Sequence, residues 1–149
     1  MKMKIFLSVF FLTALIAAAF FLSDGKNRGG EIEKVCFREY CFLVELAETP
    51  EEKSYGLMFR ENLEADKGML FIFEKERKYG FWMKNTLIPL DIIWLDKDKK
   101  VVFIKSNASP CAEDSCPVIN PETPAMYVLE INGGLAEKIG LTIGSKLRF

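Results

Sequence analysis

The sequence predicts a mainly β protein, a single compact antiparallel β-barrel or sandwich-like domain with one or two short helices. Three observations support this. From Glu33 onward the apolar residues alternate or run in short pieces, punctuated by glycine, proline and charged turns, which is the pattern of half-buried and buried strands. Helix start and stop signals occur at only two places. The 149 residues, once an apolar first segment is set aside, leave room for one core of the usual size of roughly 100 to 200 residues.

That first segment is 1–22. Lys2 and Lys4 precede an uncharged apolar run from Ile5 to Leu22, about as long as the ~18 residues that cross a bilayer. It reads as a signal peptide or an N-terminal membrane anchor. Residues 23–32 form a polar, Gly-rich linker and 33–149 the β-rich domain. Either reading of 1–22 makes the domain extracytoplasmic, secreted or held to the membrane by its N-terminal segment.

Strands are expected near 33–37, 41–48, 69–73, 79–85, 90–96, 100–106, 125–131 and 145–149. Between the second and third, Thr49-Pro50-Glu51-Glu52 places a capping hydroxyl, a proline at the first helical position and an acid where a capping box needs one, so a short helix runs to about Leu57. Gly133-Gly134 and Gly140 bracket a second helix over Leu135–Ile139. Asp96-Lys97-Asp98-Lys99-Lys100 is read as a solvated hairpin turn. It lacks the further acid and the glycine of a calcium loop.

The four cysteines form two pairs of equal spacing, Cys36/Cys41 and Cys111/Cys116. In an exported chain they read as two local disulfides. The rival reading is a four-thiolate zinc site, whose knuckle spacings overlap this one. A redox-active pair is disfavoured because four residues intervene instead of two.

The composition excludes much chemistry. There is no histidine, which removes Ser-His and Cys-His nucleophiles, imidazole metal ligands and imidazole acid–base work. No Gly-rich phosphate cradle follows a strand. Charge is near balance, with 20 basic and 21 acidic side chains interspersed, and a nucleic-acid partner would call for a basic face. Met58, Met69, Met83 and Met126 with Trp82 have the softness Cu(I) favours, but without histidine or a Met-x-x-Met run they read as core filling. No metal or cofactor is expected.

The stretch Phe81-Trp82-Met83-Lys84-Asn85-Thr86-Leu87-Ile88-Pro89-Leu90-Asp91 places polar residues inside an apolar run. Pro89 forbids an ordinary central strand, so the chain must bend before Asp91. A buried Asp91 needs a cation or hydrogen-bond donors, and Arg60 or Lys84 are candidates. Glu130, between Leu129 and Ile131, poses the same problem. Two readings follow: these residues meet at one end of a barrel around a small polar ligand, or they form an internal network that fixes loops.

The same residues carry a resemblance. Gly56-Leu57-Met58-Phe59-Arg60, Asp66-Lys67-Gly68-Met69-Leu70-Phe71, Phe81-Trp82-Met83-Lys84-Asn85-Thr86, Ile88-Pro89-Leu90-Asp91 and Leu129-Glu130-Ile131-Asn132-Gly133-Gly134 stand in the order seen in the exported members of domain of unknown function 192, also called uncharacterised protein family 0127. The resemblance spans roughly Val35 to Phe149 and implies a compact, mainly β domain, without an established activity. Its recurrent block falls on Arg60, Trp82, Lys84, Asn85, Thr86, Asp91 and Glu130, the ligand-binding candidates. The function expected is a non-enzymatic extracytoplasmic module that binds a small molecule or an envelope protein. The alternatives are a histidine-free hydrolase or isomerase, with Asp91 or Glu130 as base, and a purely structural envelope protein.

Overall fold

A computed structural model describes residues 32–113 and 115–149. The expected signal peptide or anchor and nearly all of the linker lie outside the described residues. Among the described residues no helix is long and apolar enough to cross a membrane.

The chain begins with a hairpin of β1 (Ile32–Phe37) and β2 (Tyr40–Ala47). Its turn takes Arg38 to a φ of +53°, and it sets Cys36 opposite Cys41, where a disulfide joins them. Helix α1 (Pro50–Tyr55) follows with the expected capping box: Thr49 accepts from the Glu52 N–H, and the Glu52 carboxylate accepts from the Thr49 N–H. β3 (Lys67–Arg77) then lies parallel to β2. A parallel neighbour needs a crossover of a dozen or more residues, and the segment carrying α1 supplies it.

β4 (Leu90–Leu95) and β5 (Val101–Ala108) form a second hairpin. Its turn is solvated, and the Asp96 carboxylate accepts from the N–H groups of Asp98 and Lys100, each at 2.9 Å. β6 (Ala125–Asn132) inserts between β3 and β4, antiparallel to both, and leads into α2 (Leu135–Lys138). The order across the six-stranded sheet is β1-β2-β3-β6-β4-β5.

Four expectations are corrected. The sheet is mixed rather than antiparallel, because α1 carries the chain over to start β3 in the direction of β2. It is not closed into a barrel. The C-terminal segment expected as a strand at 145–149 makes only isolated bridges, to Cys36 through Arg148 and to Lys100 through Lys146. The segment expected as a strand at 79–85 likewise forms only isolated β-bridges among the described residues, from Phe81 to Ile119 and from Lys84 to Cys111, with a further one from Thr86 to Cys111 just beyond it; a left-handed residue at Asn85 interrupts its extended run.

All six residues of β4 are buried because the sheet is covered on both faces. Face A buries Leu70, Ile93, Leu129 and Ile131 against Ala136 of α2, Ile139 and Leu147. Face B buries Phe71, Ile92, Trp94 and Val128 beneath Leu57 and Met83. Trp94 is anchored by its indole N–H, which donates to the Tyr79 carbonyl at 2.9 Å. Met69 and Met83 are buried in face B, packed as gap-filling thioethers.

Candidate functional site

The polar residues within the apolar run from Phe81 to Asp91 resolve into a turn. Phe81 exchanges both backbone hydrogen bonds with Ile119, at 2.9 and 2.7 Å, and Met83 drops into the face B core. The Thr86 N–H donates back to the Met83 carbonyl at 3.0 Å, closing a turn in which Asn85 has a φ of +55°. Asparagine tolerates this left-handed conformation better than most residues. Asn85 is held from both sides: its N–H donates to the Cys111 carbonyl at 2.9 Å, and its carbonyl accepts from the Phe59 N–H at 2.8 Å.

The Cys111–Cys116 disulfide therefore braces the loop on which this turn rests. Both cysteine pairs are bonded locally and no free cysteine is present among the described residues, so the zinc reading has no thiolate left to use. Trp82 is 45% exposed. The Lys84 ammonium lies 5.7 Å from the centre of its ring, within cation–π range. Thr86 is buried, and among the described residues its hydroxyl reaches only the Lys84 carbonyl, at 3.5 Å.

Asp91 is fully buried on face A. The β4–β5 ladder slips between Leu90 and Ile92, and this irregularity leaves the Asn107 N–H to donate to Asp91 Oδ1 at 2.7 Å. Gly134 donates to the same oxygen at 2.9 Å and Ala136 to Oδ2 at 2.7 Å. Three backbone donors thus take the place of the expected Arg60 or Lys84. The carboxylate ties the β5 end to the start of α2, where the free N–H groups of a helix's first turn favour an anion.

Glu130 faces the other way. Its register partners are Met69 on β3 and Ile92 on β4, both face B residues. It is 4% exposed, and burial pushes its carboxyl from the ordinary 4.5 up to about 8. No described residue hydrogen-bonds to it. No buried side-chain oxygen among the described residues is sealed off without a partner, and Glu130 is one of the residues that line a slot. That slot, about 30 Å³, is walled by Tyr55, Phe71, Phe81, Trp82, Lys84 and Thr86 among others.

Arg60 bonds Glu45 at 2.6 Å, both partners about a third exposed. Glu45, Met69, Glu130 and Ile92 form one row across β2, β3, β6 and β4. At a strand spacing of about 4.8 Å, Glu45 and Glu130 lie roughly 10 Å apart on the same face. The Arg60–Glu45 pair lines an open depression of about 520 Å³ with Met69, and the depression shares Tyr55 and Gly56 with the Glu130 slot.

Of the seven candidates, the structure brings Trp82, Lys84, Thr86 and Glu130 together, sets Arg60 beside them across Tyr55, and uses the Asn85 backbone to hold the turn. Asp91 stands apart on the opposite face. Sequence reasoning missed Glu45 and Tyr55. A charge in an alternating strand ordinarily faces solvent, and only the parallel register of β2 on β3 puts Glu45 in line with Glu130.

Fold and site together define a mixed-sheet, mainly β protein with an acid-floored slot beneath an irregular turn. The chain belongs to the DUF192 family, described as uncharacterized ACR, whose pattern matches residues 34–149. It is similar to a solved structure from Novosphingobium aromaticivorans, a protein of unknown function, at 37% identity and a TM-score of 0.76 over 85% of this chain and 91% of that one. It is also similar to a structure from Sinorhizobium meliloti described as a "putative transcription regulator", at 35% identity and a TM-score of 0.75 over 80% of this chain and 94% of that one. No curated protein matches.

Proposed function

We propose that the protein is an extracytoplasmic binding module that takes a small polar ligand into the Glu130 slot and the adjoining depression, without chemistry upon it. One observation carries this reading: Glu130 is a buried acid without a hydrogen-bond partner among the described residues, lining a slot with Trp82, Lys84 and Thr86. A buried polar group is ordinarily satisfied, and one that lines a slot is poised to be satisfied by something bound. Lys84 adds to this, since the described residues give its ammonium no carboxylate partner. The two disulfides support an oxidising compartment. A nucleic-acid partner, as the S. meliloti protein's description would suggest, calls for a basic face, and this chain carries 20 basic and 21 acidic side chains interspersed along its sequence.

The test is a screen of small polar metabolites in pools against the full-length protein, followed by nitrogen-15 NMR. Ligands of this site shift the Trp82 indole and Thr86 amide signals saturably, and Thr86→Val weakens them. Pools that leave both signals unmoved, or that bind wild type and Thr86→Val alike, contradict the assignment.

A further inference from the structure

Three polar residues line the slot, and their side-chain groups have few partners among the described residues. Among the described residues the Glu130 carboxyl has no hydrogen-bond partner, the Lys84 ammonium has the Trp82 ring face, and the Thr86 hydroxyl has one long contact at 3.5 Å. Ammonium and hydroxyl are donors, and a carboxyl that keeps its proton is a donor as well.

Resting on the binding site proposed above, we infer that the slot seats the carboxylate group of a small organic acid, accepting hydrogen bonds from Lys84, Thr86 and the Glu130 carboxyl. The dimensions agree: about 30 Å³ exceeds the roughly 10–15 Å³ that one water needs, which suits a carboxylate head and excludes a ring. The body of the acid then has the depression across Tyr55 and Gly56.

The charges that face Glu130 favour an anion over an amine. Lys53 and Tyr55 of α1 and Lys84 of the turn line the slot, and farther along the same row Glu45 of β2 is neutralised by Arg60. Lys53 is drawn away, its ammonium donating to the Glu48 carbonyl at 2.6 Å and lying 4.8 Å from the centre of the Phe73 ring. β3 and β4 present Met69, Phe71 and Ile92, none of which titrates. The Lys84 charge beside the slot disfavours an ammonium and attracts a carboxylate, to which a protonated Glu130 can donate. Burial keeps Glu130 protonated past neutrality, up to about pH 8. Above that the free protein must take up a proton to bind the acid, so affinity falls about tenfold per pH unit.

The probes are propionate, propionamide and propylammonium, titrated into the full-length protein while the Trp82 indole and Thr86 amide signals are followed from pH 6 to pH 9.5. Propionate is expected to saturate both signals where the other two do not, with its affinity level to about pH 8 and falling beyond. Glu130→Gln has no titrating proton, so whatever its affinity at pH 6 it is expected to lose the fall above pH 8; Lys84→Met is expected to weaken binding about tenfold or more. Saturation by propylammonium or propionamide in place of propionate overturns the carboxylate assignment and leaves the binding site standing. A fall above pH 8 that persists in Glu130→Gln overturns the role of Glu130. If neither these probes nor any metabolite pool moves the two signals, both readings fail together.

Discussion

Asp91 and Glu130 are buried acids on adjacent central strands, one register step apart, yet their surroundings are opposite. Asp91 meets three backbone N–H groups at 2.7 to 2.9 Å and is a closed latch between β5 and α2. Glu130, turned to face B by the strand alternation, meets no hydrogen-bond donor of the described residues and lines a slot. A buried charge is built into a fold by supplying its donors. A buried acid left without them keeps its proton and remains available to a ligand.

The largest expected effect comes from opening the latch. Asp91→Asn turns an amide donor toward donors and strands buried N–H groups, which costs about 3–5 kcal/mol. Urea unfolding checks this, and a loss under 1 kcal/mol would erase the distinction between the two acids.

Glu130→Gln is expected to act in the reverse direction. The folded value of about 8 lies above the ordinary 4.5, so the stability this group contributes is complete below pH 4.5 and is lost as the pH rises to about 8, at about 1.4 kcal/mol per pH unit. The variant should therefore match wild type near pH 4.5 and exceed it at pH 8, read as denaturation midpoints across that range.

A smaller effect follows from the brace under the turn. Cys111→Ser with Cys116→Ser costs about 2 kcal/mol on the chain-entropy account. If the brace also holds the slot, the variant broadens the Trp82 and Thr86 signals and leaves those of Gly134 and Ala136, on face A, in place. Arg60→Ala should be the mildest, under about 1 kcal/mol, because its pair with Glu45 is partly exposed; thermal denaturation suffices to measure it.

Much of this contrast was legible in the sequence, and its shape was not. Thr49-Pro50-Glu51-Glu52 announced α1 through its cap, and Pro89 announced the bend before Asp91. An acid between Leu129 and Ile131 marked a buried charge. What sequence could not supply was the facing of each strand relative to its neighbours. Asp91 and Glu130 looked like members of one cluster because both interrupt apolar runs, whereas their side faces depend on the register of β4 on β6. The hydrogen-bond donors of Asp91 come from Asn107, Gly134 and Ala136, and backbone groups have no residue-type signature to find. The strand expected at 79–85 failed for a related reason: its apolar residues fill the face B core from an irregular turn held by Cys111 and Phe59, contacts far off in sequence.

The central claim is that Glu130 is an unsatisfied acid and Asp91 a satisfied one. Its most direct test is a carbon-13 NMR titration of the Glu130 side-chain carboxyl in the ligand-free, full-length protein. A midpoint near pH 8 is the result this account predicts, and a midpoint near 4.5, the value of a solvated glutamate, would contradict it.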